Sequence, residues 1–245
     1  MIVVNELSKV YDDHLAVAGV TFQLQQGQVC GLVGPNGAGK TSTLRCIAGL
    51  IGSSDGEIRV NDLSVTLNSA AVKRQIAYVP DDPPLFDDLT VGDHLEFIGQ
   101  IYDIPDARTK ASYWLNRFDL AGKYDAGATT LSRGMRQKLA VCCAYLADPK
   151  ILLLDEPLTG LDPPAIRTLL DSVHEMAENG KTVILSSHLL AMISEVCTHL
   201  LVMKSGQAVY FGPKSGLVGD GVGAESLEAA FFAATESSPL EMVAT

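Results

Sequence analysis

The chain has 245 residues, 47% of them apolar, and carries a formal net charge of −11 from 18 basic and 29 acidic side chains. That length and apolar content describe a globular protein with a sizeable core and exclude a disordered chain, while the acidic balance speaks against a general nucleic-acid or anionic-lipid surface. Five cysteines without metal-ligand spacing, no basic-then-apolar leader and no apolar run of about 20 residues predict reduced thiols, a cytosolic setting and a chain that does not itself cross a bilayer.

In chain order, residues 2–5 and 20–24 alternate as strands do, and Gln25 to Gln28 with Gly27 reads as a hairpin turn. "VCGLVG", Val29 to Gly34, is a short apolar run suited to a strand buried on both faces. Thr41 to Ile51 has helical composition and stops near Gly52, and strand character returns at 57–60 and 76–79. Helical patterns follow at 91–102, 107–118 and 133–147, the last with Ser132 placed to cap it. "ILLLDEP" is a strand, 164–179 a helix, "TVILSSH" a strand and 189–197 a helix, before strands at 199–203 and 207–211. This alternation predicts an α/β fold with a mostly parallel sheet, interrupted by a helical insert at about 87–147. The segment 213–245 reads as a short tail containing an amphipathic stretch, "SLEAAFFAA".

Two segments carry chemistry. "GPNGAGKT" fills every fixed position of the pattern G-x-x-x-x-G-K-[ST] between a predicted strand and a predicted helix. Across Gly34, Pro35, Asn36, Gly37, Ala38 and Gly39 the glycines let successive N–H groups turn around phosphate oxygens, and the start of the helix at Lys40, Thr41 and Ser42 adds its positive end. Lys40 is placed to reach β- and γ-phosphates, and the Thr41 hydroxyl to ligate Mg2+. In "ILLLDEP", Asp155 at a strand end would hold the metal and Glu156 beside it could activate water as a general base.

With "LSRGMRQKL" added, about residues 2–212 resemble the ATPase subunit of ATP-binding-cassette (ABC) transporters, with the motifs in the family's order. The resemblance implies a phosphate-loop NTPase core with an N-terminal antiparallel β-subdomain and an inserted α-helical subdomain. It implies that Tyr11 stacks on adenine, that Thr159-Gly160-Leu161-Asp162 is the loop after the acidic strand, and that His188 steadies the γ-phosphate. It also implies that Leu131, Ser132, Arg133 and Gly134 of one chain meet the ATP held by another, so that a homodimer or heterodimer sandwiches two ATP. Two departures stand out: the signature reads Leu-Ser-Arg-Gly-Met rather than Leu-Ser-Gly-Gly-Gln, and Asp81 replaces the Gln that senses metal and attacking water after a Tyr-Val-Pro strand end. An Asp81 carboxylate there can reach Mg2+ through water, as catalytic sensor and metal partner.

The expectation is thus an ATP hydrolase, using ATP and Mg2+, peripheral on the cytoplasmic face of the cell membrane. It would act with separate integral-membrane permease subunits and without nucleic acid, and the "LSRGM" and "PDDP" forms resemble export-type, ABC-2-like members. Two other readings stay open: a soluble ABC ATPase, and a nucleotide sensor uncoupled from transport. Trp114 and His94 read as structural.

Overall fold

The computed structural model describes residues 1–188 and 190–218. Ten strands and eight α-helices are formed by them: β1 Ile2–Tyr11, β2 His14–Leu24, β3 Val29–Val33, α1 Lys40–Ile47, β4 Asp55–Val60, β5 Leu63–Ser64, α2 Ser69–Lys73, β6 Ile76–Val79, α3 Val91–Ile101, α4 Ala107–Arg117, α5 Arg133–Leu146, β7 Ile151–Leu154, α6 Pro163–Glu178, β8 Thr182–Ser187, α7 Leu190–Ile193, β9 His199–Lys204, β10 Gln207–Pro213 and α8 Lys214–Val218. Strands β2-β1-β4-β5 make an antiparallel sheet, and β10-β9-β3-β8-β7-β6 make a second sheet in which only β10 runs antiparallel to its neighbour.

The second sheet is the central layer because its inner strands β3, β7 and β8 are buried at every position. Val29 and Val33 of β3 join one core cluster, with Leu152 and Leu154 of β7, while Cys30 and Leu32 join the other, with Ile151 and Leu153. Side chains alternate across a strand, so a continuous apolar run buries both faces. The antiparallel sheet and α1 cover one face, and α3 to α6 cover the other. Helices α3, α4 and α5 all lie between β6 and β7, where the helical insert was expected. α4 is tied to α6 by a two-pronged Arg117–Glu175 pair, both contacts at 2.6 Å. α3, α5 and α6 start on side-chain caps: Thr90 and Asp93 form a reciprocal capping box, Ser132 accepts from the Met135 N–H, and Asp162 caps α6 ahead of Pro163 and Pro164.

Three local expectations are corrected. The turn at 25–28 forms, with Gln28 N–H bonded to Gln25 O, but it is no hairpin, because β2 and β3 belong to different sheets. The hairpin joins β1 and β2 through Asp12 and Asp13, and register shifts along β1 erase its alternation beyond residue 5. The first helix ends at Ile47, not near Gly52, because Gly49 adopts φ 64° and returns its N–H to Cys46 O. The helix expected over 189–197 is only Leu190–Ile193; the Ser194 hydroxyl bonds back to Ala191 O and competes with its continuation. The stretch "SLEAAFFAA" lies outside the described residues.

Candidate functional site

The parallel strands β3, β6, β7 and β8 all end on one edge of the central sheet, since Val33 pairs Ser187, Val79 pairs Leu154 and Leu154 pairs Leu185. Such an edge is where open α/β sheets bind ligands. From β3 the chain enters the loop Gly34–Gly39, and two glycines there are dictated by backbone contact: a Cβ on Gly34 would sit 2.3 Å from Met203 O, and one on Gly39 (φ 100°) 2.5 Å from Ala16 O. Pro35, Asn36 and Gly37 are exposed, whereas Ala38 is buried. The Lys40 ammonium, almost fully buried, donates to Gly34 O at 2.8 Å and Pro35 O at 3.3 Å, so it bridges the loop it belongs to.

Asp155 sits just past β7, 2% exposed, inside a cage of hydroxyls. Its Oδ1 accepts from Thr41 at 3.1 Å and Ser186 at 2.8 Å, and its Oδ2 accepts from Tyr78 at 3.0 Å. The donors are neutral, so the carboxylate is held without being neutralised. Burial, and then the Asp155 charge, push the Tyr78 hydroxyl up to about 12, which keeps it a donor. Arg45 lies beside that hydroxyl, and the contact raises its own pKa.

Glu156 adopts φ 46°, a left-handed conformation that non-glycine residues rarely hold. Its N–H is fixed on Ser186 Oγ at 2.8 Å, and the turn aims the carboxylate back over the phosphate loop. One oxygen lies 3.4 Å from Lys40 Nζ; the other accepts from His188 Nδ1 at 2.9 Å. A carboxylate can only accept, so Nδ1 carries the proton, and among the described residues His188 Nε2 has no hydrogen-bond partner. Lys40, Thr41, Asp155, Glu156 and His188, from three separate segments, therefore form one connected group. At its margin the Tyr11 hydroxyl lies 3.3 Å from Ser42 Oγ, and Lys9 stands 5.0 Å over the Tyr11 ring.

The signature segment forms a second group. Leu131 is buried in the core and anchors the segment, while Ser132 and Arg133 are exposed at the start of α5. Gly134 is required by close approach: a Cβ there would lie 2.5 Å from Gly160 O. Arg133 reaches Asp81, at 2.9 Å, and Arg136 reaches Pro83 O at 3.1 Å and Asp82 at 3.5 Å. Asp81 thus faces the signature; among the described residues no hydrogen bond or ion pair joins it to Thr41, Asp155 or Glu156.

The prolines beyond Asp82 wall a groove of about 420 Å³ lined by Leu50, Leu85, Phe86, Phe97 and Ala144, among others. Buried His94 holds this wall: its Nε2 accepts the Phe86 N–H at 3.0 Å while Nδ1–H donates to Thr90 O at 2.7 Å. Tyr78 and Ser186, which hold Asp155 and the Glu156 N–H, were not singled out in the sequence, whereas His94 was read as structural and its hydrogen bonds are structural. Only the Tyr78 position, in the strand leading to Asp81, carried any hint.

The group around the phosphate loop fits a magnesium nucleotide. A hydroxyl and a carboxylate 3.1 Å apart are a hard-oxygen pair suited to Mg2+. Among the described residues the N–H groups of Gly37, Gly39, Lys40 and Thr41 have no acceptor, which leaves them for phosphate oxygens.

Comparison with known proteins agrees with this geometry. The family described as ABC transporter matches residues 17–159. An uncharacterized ABC transporter ATP-binding protein of Methanocaldococcus jannaschii is 35% identical over 211 residues, 85% of this chain and 76% of that protein. The Nod factor export ATP-binding protein I of Ralstonia nicotianae is 32% identical over 227 residues, 92% of this chain and 71% of that one. A solved ATP-binding subunit of an ABC transporter superimposes with a TM-score of 0.88 at 29% identity, covering 95% of this chain and 99% of that one.

Proposed function

This chain belongs to the ABC transporter ATP-binding family, and from that premise we propose that it hydrolyses ATP as a sandwich dimer that drives export through separate membrane subunits. The observation that carries the reading is the connected group Lys40–Glu156–His188 beside the caged Asp155. Lys40 and the loop N–H groups hold the β- and γ-phosphates of ATP, and Thr41 and Asp155 would hold Mg2+, which would supply positive charge against the phosphates. Glu156 orients water and takes its proton, with His188 Nδ1–H fixing the carboxylate and His188 Nε2 facing the γ-phosphate. Tyr11 covers the adenine.

In the dimer, Ser132 and Gly134 at the start of α5 close on the ATP of the other copy, where the N–H groups and helix dipole present positive potential. The apolar groove behind Pro83, Pro84 and Phe86 receives a helix of the permease, which puts the protein at the cytoplasmic membrane surface. Among the described residues no helix is long and apolar enough to cross a membrane; in this reading the transport path belongs to a partner. The relative named for Nod factor export supports the outward direction.

The test is steady-state ATP hydrolysis with Mg2+ as a function of protein concentration. Turnover per chain should rise with concentration, and Glu156→Gln should lower it by about 100-fold or more, the scale of a lost general base, while ATP binding persists. Turnover unchanged in Glu156→Gln would remove Glu156 from the mechanism.

A further inference from the structure

Arg133 and Asp81 lie far apart in sequence, both depart from the family pattern, and they are bonded to each other at 2.9 Å. Each is about half exposed, with side chains 54% and 47% accessible, so water can reach the pair and an incoming anion can compete for it. The stem of Arg133 lies along the loop after the acidic strand, since a Cβ on Gly160 would meet its Cγ and Cδ at 3.4 Å. The guanidinium is therefore held at the mouth of the signature, beside the exposed Ser132 cap, with a carboxylate occupying the place of an anion. Arg136, one turn further along α5, holds the same loop through Pro83 O and Asp82, so the loop stays attached if Asp81 lets go.

We propose that Arg133 is a parked cation: Asp81 retains it in the single chain and releases it to the terminal phosphate of the ATP carried by a second copy. This rests on the sandwich reading above. The exchange is favourable because a phosphate carries more charge and more acceptor oxygens than a carboxylate and takes the planar guanidinium in a two-pronged fashion. The two sequence departures are then one device. Arg133 supplies a side-chain cation next to the backbone donors of the signature. Asp81 keeps that cation from attracting other anions while no nucleotide-loaded copy is present.

The experiment measures association by sedimentation against ATP concentration in a Glu156→Gln parent, which holds the nucleotide unhydrolysed. Asp81→Asn, Arg133→Ala and the double variant are compared with it; both changes are on exposed side chains. Asp81→Asn should lower the ATP midpoint by about two- to fivefold, the scale of an exposed ion pair released from competition. Arg133→Ala should raise it by about tenfold or more, the scale of a lost contact to a charged oxygen. In the Arg133→Ala background Asp81→Asn should shift nothing. Equal effects of Asp81→Asn with and without Arg133, a midpoint raised by Asp81→Asn, or no effect of Arg133→Ala would each overturn the proposal. A parent that never associates would overturn the sandwich reading and the proposal together, a pattern distinct from a parent that associates while the variants match it.

Discussion

The molecule holds two aspartates, Asp155 and Asp81, by opposite means. Asp155 is buried and bonded to three neutral hydroxyls, whereas Asp81 is half exposed and bonded to an arginine. The hydroxyl cage satisfies the oxygens of Asp155 yet leaves its full negative charge to draw a cation, at the cost of fixing three donors in place beforehand. The arginine cancels the charge of Asp81 and can be exchanged, because an exposed pair contributes little to stability. One site is made ready before its ligand arrives; the other is made changeable.

The contrast can be broken most severely at Ser186, which donates to Asp155 and accepts the Glu156 N–H. Ser186→Ala leaves the Glu156 N–H without its acceptor and takes one of three donors from Asp155, and should cost about 2–4 kcal/mol by denaturant unfolding, an unsatisfied N–H plus one lost bond to a charged oxygen. It should also weaken Mg2+-dependent ATP binding, and a stability equal to the parent's would mean the cage is not tightly formed. Tyr78→Phe is milder, removing one donor, and should cost about 1 kcal/mol near neutrality. It also gives a pH signature. The folded Tyr78 keeps its proton up to about 12 against an ordinary value of 10.0, so between those values the unfolded chain binds fewer protons than the folded one. Stability therefore falls as pH rises through that window, and Tyr78→Phe should flatten the fall relative to the parent. The smallest effect belongs to the exposed face: Arg136→Ala should change stability by under about 0.5 kcal/mol, and 0.5 M salt should erase even that. A large, salt-independent loss would show that this face is as fixed as the cage.

How much of this was legible follows the same division. The phosphate loop, the Asp155-Glu156 strand end and the signature are contiguous strings whose residues act on their neighbours, and from them the family, the α/β class and the central sheet could be read. Tyr78 and Ser186 act across strands. A tyrosine in a strand and a serine at a strand end have no local mark of their partner, which only the parallel register of β6, β7 and β8 supplies. The turn at Gln25 misled for a related reason: a tight turn looks the same whether the strands beside it pair or part. Arg133 and Asp81 were each visible as departures, but their pairing exists only once α5 lies along the loop after β6. His94 was read as structural, and its hydrogen bonds do hold a backbone in place, though the backbone is the wall of the groove.

The order of the central sheet carries a consequence for how the protein is made. β3, the strand that launches the phosphate loop, has β8 and β9 as its neighbours, with Val29 opposite Val183 and Cys30 opposite His199. During synthesis the loop motif leaves the ribosome with both flanking edges of its strand bare, and it stays so until nearly all of the described chain has followed. Contacts between such distant segments form late and slowly. Nucleotide binding is therefore expected of the growing chain only once β8 and β9 have emerged and joined β3.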